Sequence, residues 1–182
     1  MPTPRYALVA YVRNAVGEFV ENLRQELHPH LPHLPAHVTI LPPRCLQGGG
    51  ELLAIETLEE VCSQSEPFDI TLGDVETFVP VTPTVFIRAA HGAYRIRELH
   101  DRLNVQTLAA SEEWPFMPHL TIVKVEDEDQ AKRAYLFSRD RWAQFAGDRQ
   151  VPINELTFVR EQEHNRWLDL AGIPLGRSIV KR

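Results

Sequence analysis

Two short stretches hold the side chains best suited to chemistry, His37-Val38-Thr39 and His119-Leu120-Thr121. The first sits in Pro35-Ala36-His37-Val38-Thr39-Ile40-Leu41 and the second in Met117-Pro118-His119-Leu120-Thr121-Ile122-Val123. A run rich in branched residues and bounded by proline reads as a short buried strand. Alternation then puts the His and Thr of each copy on one face, roughly 6.6–6.8 Å apart along the backbone. An imidazole beside a hydroxyl, made twice, is what acid–base chemistry on a phosphate needs. A single His-x-Thr is a weak signal. A second copy at the matching place in a repeated layout makes it a strong one.

If both strands line one groove, a phosphodiester between them meets an imidazole on each side of the phosphorus. In-line displacement needs a base for the nucleophile and an acid for the leaving oxygen opposite. Histidine holds either state near neutral pH. The hydroxyls of Thr39 and Thr121 can donate to the non-bridging oxygens, where charge builds in the five-coordinate geometry. This set supplies proton transfer and charge stabilisation without calling for a metal or a cofactor.

The elements that must position these residues follow from periodicity. Residues 6–12 form a nearly apolar strand. A helix over 16–27 carries Val16, Phe19, Val20, Leu23 and Leu27 at helical spacing, with Asn14 placed to cap it. The proline-punctuated segment 28–35 ends that helix as a stiff loop. The first His-x-Thr strand closes at Pro42-Pro43-Arg44. Gly48-Gly49-Gly50 is a hinge before a helix over 51–63. Strands at 68–78, with a bend at Gly73-Asp74, and at 84–90 lead into a helix over 93–108 with Ile96, Leu99 and Leu103 on one stripe. Residues 111–118 form a loop into the second His-x-Thr strand. Acidic residues 127–129 open a helix to about 145, with Ala131, Ala134, Tyr135, Ser138 and Trp142 as its buried stripe. Strands at 153–161 and 166–173 close the chain as a hairpin.

Strand, helix, His-x-Thr strand, helix, strand therefore occurs twice, and such an internal repeat is the main clue to the fold. The expected architecture is α+β: one domain of two pseudo-twofold lobes, with two antiparallel-rich sheets facing a central cleft and helices packed outside. The lobes would span about 6–80 plus the C-terminal strands, and about 84–173.

Composition narrows the classes. A chain of 182 residues that is 43% hydrophobic and 24% charged suits a single domain of this kind. A net charge of −6 argues against a surface that tracks long nucleic acid. Two cysteines give no disulfide framework or metal-finger spacing. With no apolar run of signal or membrane length, a cytoplasmic protein is expected, as a monomer.

At His37-Val38-Thr39 and His119-Leu120-Thr121 the sequence resembles the two-histidine phosphoesterase superfamily, also called the RNA ligase/cyclic phosphodiesterase family. Its signature is a pair of His-x-Thr/Ser motifs on strands of a bilobed, pseudo-symmetric fold, and the layout matches over about 6–173. The resemblance implies metal-independent hydrolysis of a 2',3'-cyclic phosphate on a nucleotide or RNA end, giving a phosphomonoester. A 2'-5' oligonucleotide phosphodiesterase or ligase-like enzyme is the alternative, and a non-catalytic nucleotide- or RNA-end-binding module is the rival from another class. His37 and His119 would be the acid–base pair, with Thr39 and Thr121 binding phosphate. Family members often carry a basic substrate channel. This sequence shows no rich one, so the expected partner is a small phosphate ester.

Among the remaining residues, Arg44, Trp114 and Phe116 are candidate substrate contacts: a cation beside the first motif, and aromatics in the loop before His119. Lys124 falls on the opposite face from His119 by simple alternation. Tyr11 and Phe86 read as core. His28, His30 and His33 lie in a loop without helical register and read as a solvated rim rather than a metal tract. His91, His100 and His164 read as surface histidines, and Cys45 as incidental.

Overall fold

The computed structural model describes residues 2–31 and 33–176, and Pro32 of the proline-rich loop lies outside them. In chain order the elements are β1 (Tyr6–Tyr11), α1 (Ala15–Leu27), β2 (His37–Arg44), α2 (Gly50–Ser63), β3 (Phe68–Thr77), β4 (Thr84–His91), α3 (Ala93–Leu103), β5 (His119–Lys124), α4 (Glu128–Gln144), β6 (Gln150–Ile153), β7 (Glu155–Glu161) and β8 (Trp167–Pro174). Among the described residues no helix is long and apolar enough to cross a membrane.

The strands form one eight-stranded sheet in the order β6-β3-β4-β5-β2-β1-β7-β8. The expected pair of sheets is therefore corrected to one continuous sheet. Its two halves meet at β2 and β5, which share a single paired position, Val38 with Leu120. Each His-x-Thr strand turns its inner edge to the other there, and the join between them is one position wide. From the middle outward, the sides read β5, β4, β3, β6 and β2, β1, β7, β8. The strand following α2 thus pairs beside β4, and β7, following α4, pairs beside β1.

The helices cross over too. α1 packs on β5 and α3 packs on β2, so each repeat's first helix supports the other repeat's His-x-Thr strand. α1 starts where Asn14 Oδ1 accepts the backbone N–H groups of Val16 and Gly17, at 3.1 and 3.4 Å. Val16, Val20 and Leu23 then face the core. Gly17 is required because a Cβ there would lie 1.8 Å from the carbonyl oxygen of Val12. The bend at Gly73-Asp74 is a bulge against β4, and Trp142 Nε1 donates to the Gly73 carbonyl at 2.8 Å.

Two expectations need correction. The helix expected to reach 108 ends at Leu103, and a short 3-10 turn follows at Gln106–Leu108. Asn104 stops it, because its Oδ1 accepts the Ala110 N–H at 2.9 Å and so folds the chain back. The strand expected over 153–161 is two strands. β6 is a four-residue edge strand holding Pro152, whose missing N–H is tolerated at an edge.

Candidate active site

On β2 and β5 the residues between the motif positions, Val38, Ile40, Leu120 and Ile122, are fully buried among the helices. His37, Thr39, His119 and Thr121 are half-buried on the opposite face and line a single cleft of about 950 Å3. The pairing of Val38 with Leu120 sets His37 across from Thr121 and Thr39 across from His119. The two imidazoles stand on a diagonal, whose residues in a regular ladder lie about 7–8 Å apart with their Cβ atoms somewhat closer.

Both rings are fixed in the same way. His37 Nδ1 lies 2.8 Å from the Pro35 carbonyl oxygen, and His119 Nδ1 lies 2.7 Å from that of Met117. A carbonyl oxygen only accepts, so Nδ1 carries the proton in each ring and Nε2 is left for the cleft. The proline ahead of each motif helps hold the chain extended for this contact. Burial pushes the His37 imidazole down to about 4; the Arg24 and His119 charges add to the effect, while the Pro35 carbonyl opposes it. Burial also lowers His119, against its bond to the Met117 carbonyl. Two neutral imidazoles near pH 7, each with a free Nε2, can accept a proton, and a bound anion favours charging one of them.

Their surroundings differ. The His119 ring meets the edges of Phe78 and Phe86, with centroids 5.2 and 5.1 Å away. Phe86 is thus core, as expected, and also a wall of the site. Beneath the His37 side lie Ala7, Val9 and Val159, a small apolar cluster against which Tyr11 and Trp167 pack. The Tyr11 hydroxyl donates to Asp169 Oδ1 at 2.6 Å.

Of the three candidate substrate contacts, Trp114 is the most available, at 58% exposed on the cleft wall. Phe116 also lines the cleft, but it stacks on His100 at 4.0 Å between centroids. Arg44 is buried, and its guanidinium is already engaged. It donates to the carbonyls of Pro42 and Leu108, to Asn104 Oδ1, and to Glu112 Oε1 at 2.7 Å. It fastens the loop that carries Trp114 to the end of β2, and it also lines the cleft.

Lys124 moves the other way. The register between β4 and β5 slips at Ile122, where β5 holds one extra residue between Phe86–Thr121 and Val85–Val123. This bulge cancels one step of alternation and returns Lys124 to the His119 face, where it lines the cleft. Lys124 is exposed and makes no ion pair among the described residues. His100 is also corrected: it is 5% exposed, not a surface residue, and its Nε2 lies 2.7 Å from Glu112 Oε1. The signal was present, since Ile96, Leu99, His100 and Leu103 follow the i, i+3, i+4, i+7 spacing of one helix face. His28 and His33 lie on the cleft rim, His33 Nε2 being 3.2 Å from Glu21 Oε2, while His30 is exposed. The His164 side chain lies outside the described residues.

The sequence profile of the 2'-5' RNA ligase superfamily matches residues 12–165. A protein of Oceanobacillus iheyensis, named provisionally as a phosphoesterase, is 25% identical over 128 residues, covering 69% of this chain and 74% of that one. A similarly named protein of Bacillus thuringiensis is 22% identical over 174 residues, covering 96% and 98%. The fold is similar to that of LigT from E. coli. In its apo form LigT superposes with a TM-score of 0.62 at 16% identity, over 97% of this chain and all of LigT. A Thermus thermophilus protein gives 0.61 at 14% identity, over 95% and 98%. A match that runs through both His-x-Thr strands, on a sheet that brings them side by side, leaves one assignment: the chain belongs to the 2'-5' RNA ligase superfamily of two-histidine phosphoesterases.

Proposed function

We propose that this protein is a metal-independent phosphodiesterase that opens 2',3'-cyclic phosphates, on nucleotides or RNA ends, to phosphomonoesters. The observation that carries the reading is the matched pair of imidazoles. Both have Nδ1 committed to their own backbone and both belong to one cleft, each opposite a threonine of the other strand. One Nε2 takes a proton from water as its oxygen bonds to phosphorus. The other Nε2–H donates its proton to the ester oxygen as that P–O bond breaks. Thr39 and Thr121 donate to the non-bridging oxygens. In this reading the proton is held by His119, because the Arg24 charge, opposed in part by Glu21, disfavours it on His37. This makes His37 the base and His119 the acid in hydrolysis, with solvent exchange restoring both.

Charge fits a small ester. Among the described residues lining the cleft, the arginines Arg24 and Arg44 are paired with Glu21 and Glu112, and Lys124 is left to meet one anionic phosphate. Trp114 offers a ring for the base. The cleft also supports a second substrate. At about 950 Å3 it lies near the top of the ~300–1,000 Å3 range of small-ligand pockets. That leaves room for a nucleotide on each side of the phosphorus, as in a 2'-5'-linked dinucleotide.

The test is turnover across a panel of 2',3'-cyclic nucleotides and 2'-5'-linked dinucleotides in excess chelator, with products identified and His37→Ala and His119→Ala as controls. Cyclic esters should be opened at a rate the chelator leaves unchanged. Activity lost on chelation would point to a metal enzyme. Binding without turnover would point to a non-catalytic module.

A further inference from the structure

Val38 and Leu120 are the one position at which the two central strands pair among the described residues. One residue further along β5, the carbonyls of Thr121 and Ile122 are met by a side chain from α1. Arg24, 5% exposed on α1, donates from Nε to the Ile122 carbonyl at 2.7 Å and from one terminal nitrogen to the Thr121 carbonyl at 2.8 Å. Its other terminal nitrogen donates to the Leu34 carbonyl at 3.1 Å and to Glu21 Oε1 at 2.9 Å. Glu21 Oε1 in turn accepts the Ala36 N–H at 2.7 Å. One ion pair thus grips the residue before His37 on one strand and Thr121 itself on the other.

We propose that Glu21 and Arg24 are positioning residues for the two-histidine reaction, setting the distance between the His-x-Thr strands, whose ladder pairing is one position wide. The inference rests on the two-histidine reading of the cleft. A guanidinium suits the task because its donors lie in a rigid plane that can meet several fixed carbonyls at once. A lysine would keep the charge and lose the plane. Near-attack geometry tolerates little error: a displacement of ~1 Å costs about a hundredfold in rate. The pair also sets the charge around His37. Arg24 lowers that imidazole, Glu21 raises it, and His33 and His119 are the other titratable groups close by.

The experiment compares Arg24→Lys, Arg24→Gln and Glu21→Gln with the parent. It reads kcat and KM on the best diester of the panel, and the ring titrations of His37 and His119 by NMR. Arg141→Ala, which breaks an exposed α4–α1 ion pair with Glu26, controls for lost stability. Arg24→Lys should lower kcat about a hundredfold with KM little changed, leaving the His37 midpoint low. Arg24→Gln should lower kcat at least as far and raise the His37 midpoint. Glu21→Gln keeps an acceptor for Ala36, so it should cost less in kcat and move the His37 midpoint down. Parent-like kcat in Arg24→Lys would overturn the proposal. So would losses matching only the fall in folded fraction, with both titrations unmoved. The titrations do not need turnover, so the two failures are distinguishable: a parent without activity defeats the two-histidine reading and the catalytic role with it, whereas an active parent with parent-like kcat in Arg24→Lys and unmoved midpoints in Arg24→Gln defeats this inference alone.

Discussion

At the first His-x-Thr strand the imidazole lies in the field of charged groups, Arg24 and Glu21 among them. At the second it meets the edges of two phenylalanine rings. Yet the backbone treats both histidines alike, each Nδ1 bonded to the carbonyl two residues upstream. The repeat therefore duplicates the direction of the free nitrogen, and the neighbours set its proton affinity. Two identical imidazoles would compete for the same role. Two imidazoles in unlike settings can divide acid from base, as reactions needing both states require.

The most damaging changes to this pairing remove either ring. His37→Ala and His119→Ala should each cost about 10²–10⁴-fold in kcat, the usual range for one general acid or base. The double variant should fall little further, because the two act as a unit. Steady-state kinetics on the three variants checks this. If one histidine proves dispensable, the duplicated geometry has no catalytic meaning. Next in size come the hydroxyls. Thr39→Val and Thr121→Val should each cost about 10²-fold in kcat, as for loss of one oxyanion donor. Because each Thr lies opposite the other strand's histidine, a loss confined to one of them would show that the phosphate sits off the diagonal centre.

The pH profile sharpens the contrast. In the proposed division His37 is neutral and His119 charged, so kcat/KM should rise as His37 loses its proton and fall as His119 loses its own. A bell is expected, and a flat profile between pH 5 and about 9 would remove two-histidine catalysis. Phe78→Leu relieves part of the crowding that lowers His119 without touching the polar side. The descending limb should move up by a few tenths of a unit while the ascending limb stays in place. Movement of both limbs together would mean the two settings are not independent.

Much of this was legible in the residues alone. The spacing of branched residues around His37 and His119 gave two strands, and their alternation gave the shared face of His and Thr. The cap at Asn14 and the bend at Gly73-Asp74 are local signals, and both appear where local chemistry placed them. What stayed hidden depends on contacts between distant segments. Lys124 was assigned to the wrong face because a bulge at Ile122 changes the phase, and no residue type marks it. Arg24 and Arg44 are ordinary surface types whose partners lie 97 and 68 positions away, at Thr121 and Glu112. The single sheet could not be separated from two, since only the Val38–Leu120 pair joins the halves.

A further expected effect concerns folding rather than turnover, and it follows from the same lowered imidazoles. In the unfolded chain His37 and His119 titrate near the ordinary 6.5. In the folded protein both take up protons only at lower pH, His37 at about 4. Below the ordinary value the unfolded state therefore binds more protons, and stability must fall as pH drops from about 6.5 toward 4. For the partly solvated His37 the loss should be on the order of 2 kcal/mol, read from chemical denaturation at pH 7 and pH 4.5. His37→Ala removes that titration, so its stability should decline less over the same interval than the parent's. Replacing His119 should flatten the curve as well. A parent and a His37→Ala variant that lose stability in parallel would show that the first imidazole is no harder to charge in the fold than in water, and the division of labour with His119 would lose its electrostatic basis.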